Sequence, residues 1–173
     1  MSQAPSSQTL LQSLFAQKSW ANRALFDCLA TAAAEQPETV EKAVRMLNHI
    51  YVVDRIFRAH LLGEAHGYTA ANTPETPELG ELHFAVAETD LWFEGYAASL
   101  GAAALQEPIA FAFTDGDAGT MTREEILAHV LAHGSYHRGN VGQMLKDVSV
   151  VPPRDLLTKF LHEREPQRRR PAA

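Results

Sequence analysis

The chain of 173 residues has one cysteine, Cys28, so no disulfide can form within it. That scarcity points to a reducing, cytoplasmic compartment. Long apolar runs are missing as well. None approaches the ~20 residues of a membrane helix, which leaves no reason to expect a membrane partner. Met1 to Thr9 are polar, with neither a basic start nor an apolar stretch, and do not read as a secretion signal. Basic residues are few: 15 Lys and Arg stand against 21 Asp and Glu, a net charge of −6. From Arg164 onward four arginines and Glu165 contribute +3 of that −6, leaving −9 for residues 1–163. An acidic body argues against binding nucleic acid through phosphate neutralisation. Pro166 and Pro171 break up the arginine cluster and no aromatics are interleaved with it. Residues 164–173 therefore read as a flexible, solvated tail behind a single domain, 1–163. A domain of that length can bury its core without a disulfide or a structural metal.

What the sequence does contain is helical periodicity. A first segment, about Gln8 to Ala33, carries the stripe Leu11, Leu14, Ala21, Leu25 and Cys28, interrupted by Lys18. After a turn at Gln36–Thr39, a second runs from about Val40 to Leu62 along Met46, His49, Val53, Ile56 and His60, with Gly63 as its stop. Loop-like residues Glu64 to Glu78 follow. A third segment, about Leu79 to Leu100, has Leu82, Val86, Leu91 and Phe93 among its apolar positions. Asp115–Gly116 between two short β-capable runs signals a small ribbon. Thr122 with Glu125 matches a capping box and opens a fourth helix reaching about Lys146. Pro152 and Pro153 end it, and Asp155 to Glu163 suit one short last helix. Four long helices of this kind, each about 33–39 Å, make a bundle. The loop after the second can span ~50 Å when extended. The expected fold is therefore all-α: a four-helix bundle, up-down-down-up, with a crossover between helices two and three.

His129, His133 and His137 are spaced four apart on the fourth helix, so they share one face. His133 and His137 lie on the stripe of Val130, Val141, Met144 and Val148. Unpartnered imidazoles on an apolar face are costly, and a metal ion removes the cost. His49 occupies the inward stripe of helix two, and bundle cores build metal sites from facing helices. Three histidine ligands leave positions open for water or substrate. Such a set suits zinc, nickel, copper or ferrous iron. Spacing alone does not choose between His129–His133 and His133–His137, and a histidine on an apolar stripe is often a plain core residue. Asn22 could orient a ligand or substrate, or make a helix-boundary hydrogen bond. Asp54 and Asp90 suit orienting carboxylates or general bases, although a solvated helix position is their commoner role. His60, His66 and His83 read as loop or exposed-face residues and His162 as tail surface. Trp20 and Trp92 read as core or dimer-interface aromatics, and Cys28 as a buried small apolar residue. Gly134, Gly139 and Gly142 each weaken a helix, which suggests close approach by a neighbour.

The segment Lys18-Ser-Trp-Ala-Asn-Arg-Ala-Leu-Phe26 resembles the opening helix of the DinB-like family. Leu47-Asn48-His49-Ile50, Asp54-Arg55-Ile56 and Gly63-Glu64 are similar to its second helix. His133-Gly-Ser-Tyr-His137-Arg138-Gly139 resembles its His-x-x-x-His-Arg-Gly motif, and Pro152-Pro153 with Asp155-Leu156 its tail. The resemblance covers roughly Leu11 to Leu161. It implies a crossover four-helix bundle, often a homodimer. The implied site is one divalent metal held by His49, His133 and His137, with His129 outside the ligand set. Zinc or nickel come first as the ion, iron or manganese after. It implies a metalloenzyme acting on a small molecule, with a low-molecular-weight thiol as co-substrate in a transferase or isomerase reaction. The alternative is a non-catalytic metal-binding bundle, a sensor, sequestering protein or scaffold. One departure stands out: Asn140 replaces the usual glutamine, which puts an orienting or packing role there in question.

Overall fold

The computed structural model describes residues 7–169; Met1–Ser6 and residues 170–173 lie outside it. The described residues are mostly helical, with six α-helices and one two-stranded antiparallel sheet. In chain order these are α1 (Ser7–Ala32), α2 (Pro37–Leu62), α3 (Leu79–Ser99), α4 (Ala102–Leu105), β1 (Pro108–Ala112), β2 (Ala118–Thr122), α5 (Arg123–Asp147) and α6 (Leu157–Arg164). No described helix is long and apolar enough to cross a membrane.

Local chemistry sets the boundaries. Pro37 opens α2 three residues before the expected Val40, because a first-turn proline lacks only a donor the helix does not use. Gly63 ends α2 in the left-handed region (φ 67°), where a glycine meets no Cβ penalty. Thr122 and Glu125 form the reciprocal capping box expected from the sequence, so Thr122 caps α5 and Arg123 is its first residue. β1 and β2 pair from Pro108 with Thr122 to Ala112 with Ala118. The four-residue α4 is too short to carry a periodic signal and was not expected. The segment read as tail begins inside α6, at Arg164, and continues as a 3₁₀ turn, Pro166–Arg168.

α1 packs chiefly on α3, and α2 on α5. Along α1 and α3 the partners run in opposite order: Phe15 stacks on Phe93, Lys18 and Asn22 bond Asp90, and Phe26 stacks on His83. Between α2 and α3 they run in the same order, with Arg58 over Trp92 and the Leu61 carbonyl near the Tyr96 hydroxyl. The Glu64–Glu78 loop returns along α2: Ala71 meets His49, and Asn72 and Thr73 bond Asn48.

The apolar core falls into two clusters. One gathers Leu11, Phe15, Phe57, Phe93, Ile126, Leu127 and Val130. The other gathers Leu25, Phe26, Leu29, Leu47, Ile50, Val86, Val141 and Leu145. Where one cluster gives way to the other, every long helix carries buried polar residues: Lys18 and Asn22, Asp54, Asp90, and Arg138. Several expected stripe positions are less buried than periodicity implies. Leu91 is 67% exposed, and Leu14, Met46 and Cys28 are only half-buried. The core arc turns toward Phe15, Phe26 and Leu29 because α1 packs mainly on α3.

Candidate metal centre

α2 and α5 face each other, and that contact brings three histidines together. His49, His133 and His137 each offer one ligand atom, and those atoms all lie within 4.8 Å of one another. Their ring centroids are 4.5–4.9 Å apart. His133 and His137 meet because one helical turn separates them. All three are half-buried, so the cluster sits at the edge of the core and not in its interior.

The nitrogens suit a cation. His49 Nδ1 lies 2.7 Å from the Ala71 carbonyl, which can only accept. That contact puts the proton on Nδ1 and leaves Nε2 with a free lone pair. His49 Nε2 stands 3.0 Å from His133 Nε2. Two nitrogens each about 2.0–2.1 Å from a zinc ion lie at most about 4.2 Å apart, so this spacing fits shared coordination. His133 Nδ1 and His137 Nδ1 are buried without a hydrogen-bond partner, a state that costs roughly 1–3 kcal/mol per group. Burial, with His137 and His49 nearby, pushes His133 down to about 3, and burial lowers His137 as well. Neutral imidazole is the form that binds metal.

His129 stands one turn before His133, stacked on it at 5.6 Å and tilted against Phe57 at 4.8 Å. It is not in the group of three. His60 and His66 pair at 5.1 Å near the end of α2, and His83 stacks on Phe26. Trp20 packs on Phe160, and Trp92 on Phe93 and Tyr96, all within the chain.

Behind the histidines lies an ion network; sequence reasoning offered Asn22, Asp54 and Asp90 as orienting residues but missed Lys18, which pairs the two acids. Lys18, the apparent interruption of the α1 stripe, is 1% exposed and holds Asp54 at 2.8 Å and Asp90 on its other side. Asn22 donates to Asp90 at 2.7 Å, deep in the interior and not at a helix boundary. Arg138 bonds Asp155 at 2.7 Å, and Gln17 donates to the same carboxylate. Asp54 and Asp90 are therefore buried and paired, contrary to the solvated role more usual for helix carboxylates. Burial, only partly offset by Lys18, pushes Asp54 up to about 6, while its Oδ1 finds no partner. The signal was available: a lysine inside an apolar stripe needs a buried acid, and α2 and α3 each supply one. Gly134 lets this layer sit under the histidines. A Cβ there would meet Arg138 Nη1 at 3.1 Å and Lys18 Cε at 3.6 Å. Gly142 likewise lies against Pro152, whereas Gly139 faces open space. Asn140 is half-buried, and its side chain makes no hydrogen bond with another described residue.

Fold and cluster together define a mostly helical protein with a three-histidine group able to hold a metal ion. The chain belongs to the DinB family, whose model matches residues 1–169. No curated protein and no solved structure matches it.

Proposed function

We propose that His49, His133 and His137 ligate one divalent ion, zinc or nickel before iron or manganese. In this reading the protein is an enzyme that transfers a low-molecular-weight thiol to a small electrophile, or uses the thiol to isomerise one. The observation that carries the reading is the size of the donor set. Three imidazoles converge, and no fourth His, Cys, Asp or Glu among the described residues joins them. A three-ligand site keeps room for water or substrate, as catalytic zinc sites do. When bound, such an ion lowers the pKa of a coordinated thiol or water toward neutrality.

The chain's own residues do the rest. Ala71 fixes the His49 tautomer, and burial keeps His133 and His137 neutral. Asn22, Asp54 and Asp90 act from behind, through Lys18 beneath Gly134, as positioning residues for α5. Asn140 follows the His-Arg-Gly motif on the same helix and is the remaining candidate for a substrate or orienting contact. The order of partners along α1, α2 and α3 supports an up-down-down-up bundle. A single domain over 1–163, a cytoplasmic location, a homodimer and a small-molecule substrate complete the reading, without nucleic acid or membrane.

A non-catalytic metal-binding bundle is the second reading. It is favoured by the carboxylates: Asp54 and Asp90 are engaged by Lys18, and no Asp or Glu among the described residues joins the histidines. A thiol-transfer assay separates the two. Metal-loaded protein is incubated with a panel of low-molecular-weight thiols and small electrophiles. Turnover that disappears on chelation and in His133→Ala is expected. Failure with the whole panel, by protein that holds stoichiometric metal, removes the enzymatic reading.

A further inference from the structure

The face of α2 turned away from the histidines carries a second feature. A cleft of about 430 Å³ opens between α2 and the returning loop, lined by Arg55, Arg58, Glu64, His66 and Tyr68 among others. Both arginines are half-buried, and neither has a carboxylate within 4.0 Å among the described residues. Two guanidiniums not paired with an acid therefore share one wall of the cleft.

Both guanidiniums are held by rings. Arg55 lies over Tyr51 at 5.8 Å and donates to its hydroxyl at 3.2 Å. Arg58 lies over Trp92 at 4.8 Å. Ring contacts of this kind fix the planar head while leaving most of its N–H donors unspent. They stand three residues apart on one helix, so they present neighbouring forks. Across the cleft, His66 Nδ1 is buried without a partner. Burial raises Tyr68, so its hydroxyl stays protonated and able to donate.

We infer that this cleft binds a dianionic phosphoryl group, with Arg55 and Arg58 as its charge partners and His66 and Tyr68 as further hydrogen-bond partners. Two guanidiniums match a dianion in charge and in bidentate geometry, whereas a carboxylate would neutralise only one. Glu64 is the one acid in the lining, and it weakens the site. The inference does not depend on the metal reading.

The test uses full-length protein kept in chelator, so that phosphate cannot bind through a metal. Calorimetric titration with inorganic phosphate at constant ionic strength should show one saturable site. Acetate should bind at least about tenfold more weakly. Arg55→Gln and Arg58→Gln should each weaken phosphate about tenfold or more, as expected for loss of a charge-assisted bond. Glu64→Gln changes an exposed loop position and should tighten it, which keeps the test decisive if an arginine variant fails to fold. Absence of saturable phosphate binding overturns the inference. So does a folded arginine variant that binds as the wild type does, acetate as tight as phosphate, or a Glu64→Gln variant with no gain.

Discussion

Two polar clusters occupy the same middle level of the helices, and they are finished differently. The ion layer of Lys18, Asn22, Asp54, Asp90 and Arg138 is almost closed on itself: every member bonds another, and only Asp54 Oδ1 is left over. The histidine cluster is not closed. Two of its three rings keep a buried nitrogen without a partner, and two Nε2 atoms face each other at 3.0 Å. A closed layer of opposite charges ties α1, α2, α3 and α5 together. An unclosed set of imidazoles could hold an ion that the chain does not itself supply.

The largest break in that comparison comes from Lys18→Met. It leaves Asp54 and Asp90 buried without their cation, a loss of about 3–5 kcal/mol. His133→Leu in metal-free protein removes an unsatisfied imidazole and should shift stability by less than about 1 kcal/mol. Urea unfolding of both variants in chelator measures the contrast. Equal losses would show that the histidines are as structural as the ion layer.

Gly134→Ala tests the contact between the two clusters. In an open helix position the change would gain about 1 kcal/mol. Here the added methyl meets Arg138 and Lys18, and a net loss of about 1–3 kcal/mol is expected by thermal or urea unfolding. A gain would mean that the layer yields freely.

Acid should move the clusters in opposite directions. Asp54, raised to about 6, takes up its proton in the folded state before an unfolded carboxylate near 3.8 does. Its contribution therefore grows as pH falls through 6 and is lost as pH rises through it. His133, lowered from 6.5 to about 3, behaves oppositely: in metal-free protein stability falls as pH drops below 6.5 toward 3. From pH 7 to pH 5, wild type should gain about 1 kcal/mol relative to Asp54→Asn. Over the same range it should lose stability relative to His133→Ala. Unfolding curves at the two pH values, with movement in the same direction for both pairs, would count against these assignments.

The same contrast explains what the sequence reveals and what it hides. The long helices are legible because apolar spacing and caps are local: Thr122 with Glu125 and Gly63 each act within a turn. The histidine row on α5 is legible for the same reason, since His133 and His137 meet through helix geometry alone. His49 was legible from its place on the inward stripe of helix two, although its partners lie 84 or more residues away; the family resemblance was needed to choose His133–His137 over His129–His133. The ion layer was hidden because every one of its bonds crosses between elements. Lys18 looked like a defect in a stripe, and Asp54 and Asp90 could be read as orienting carboxylates or as solvated positions, until α1, α2 and α3 were brought side by side. Arg138 was visible only as part of a motif. Its role required Asp155, from the segment after α5, to come into reach.

The central claim is that the unclosed cluster holds a metal ion. Elemental analysis of untagged protein, wild type beside His137→Ala and His49→Ala, tests it most directly. About one divalent ion per chain in the wild type, with a large loss in both variants, is the predicted result. Equally little metal in all three would contradict the account.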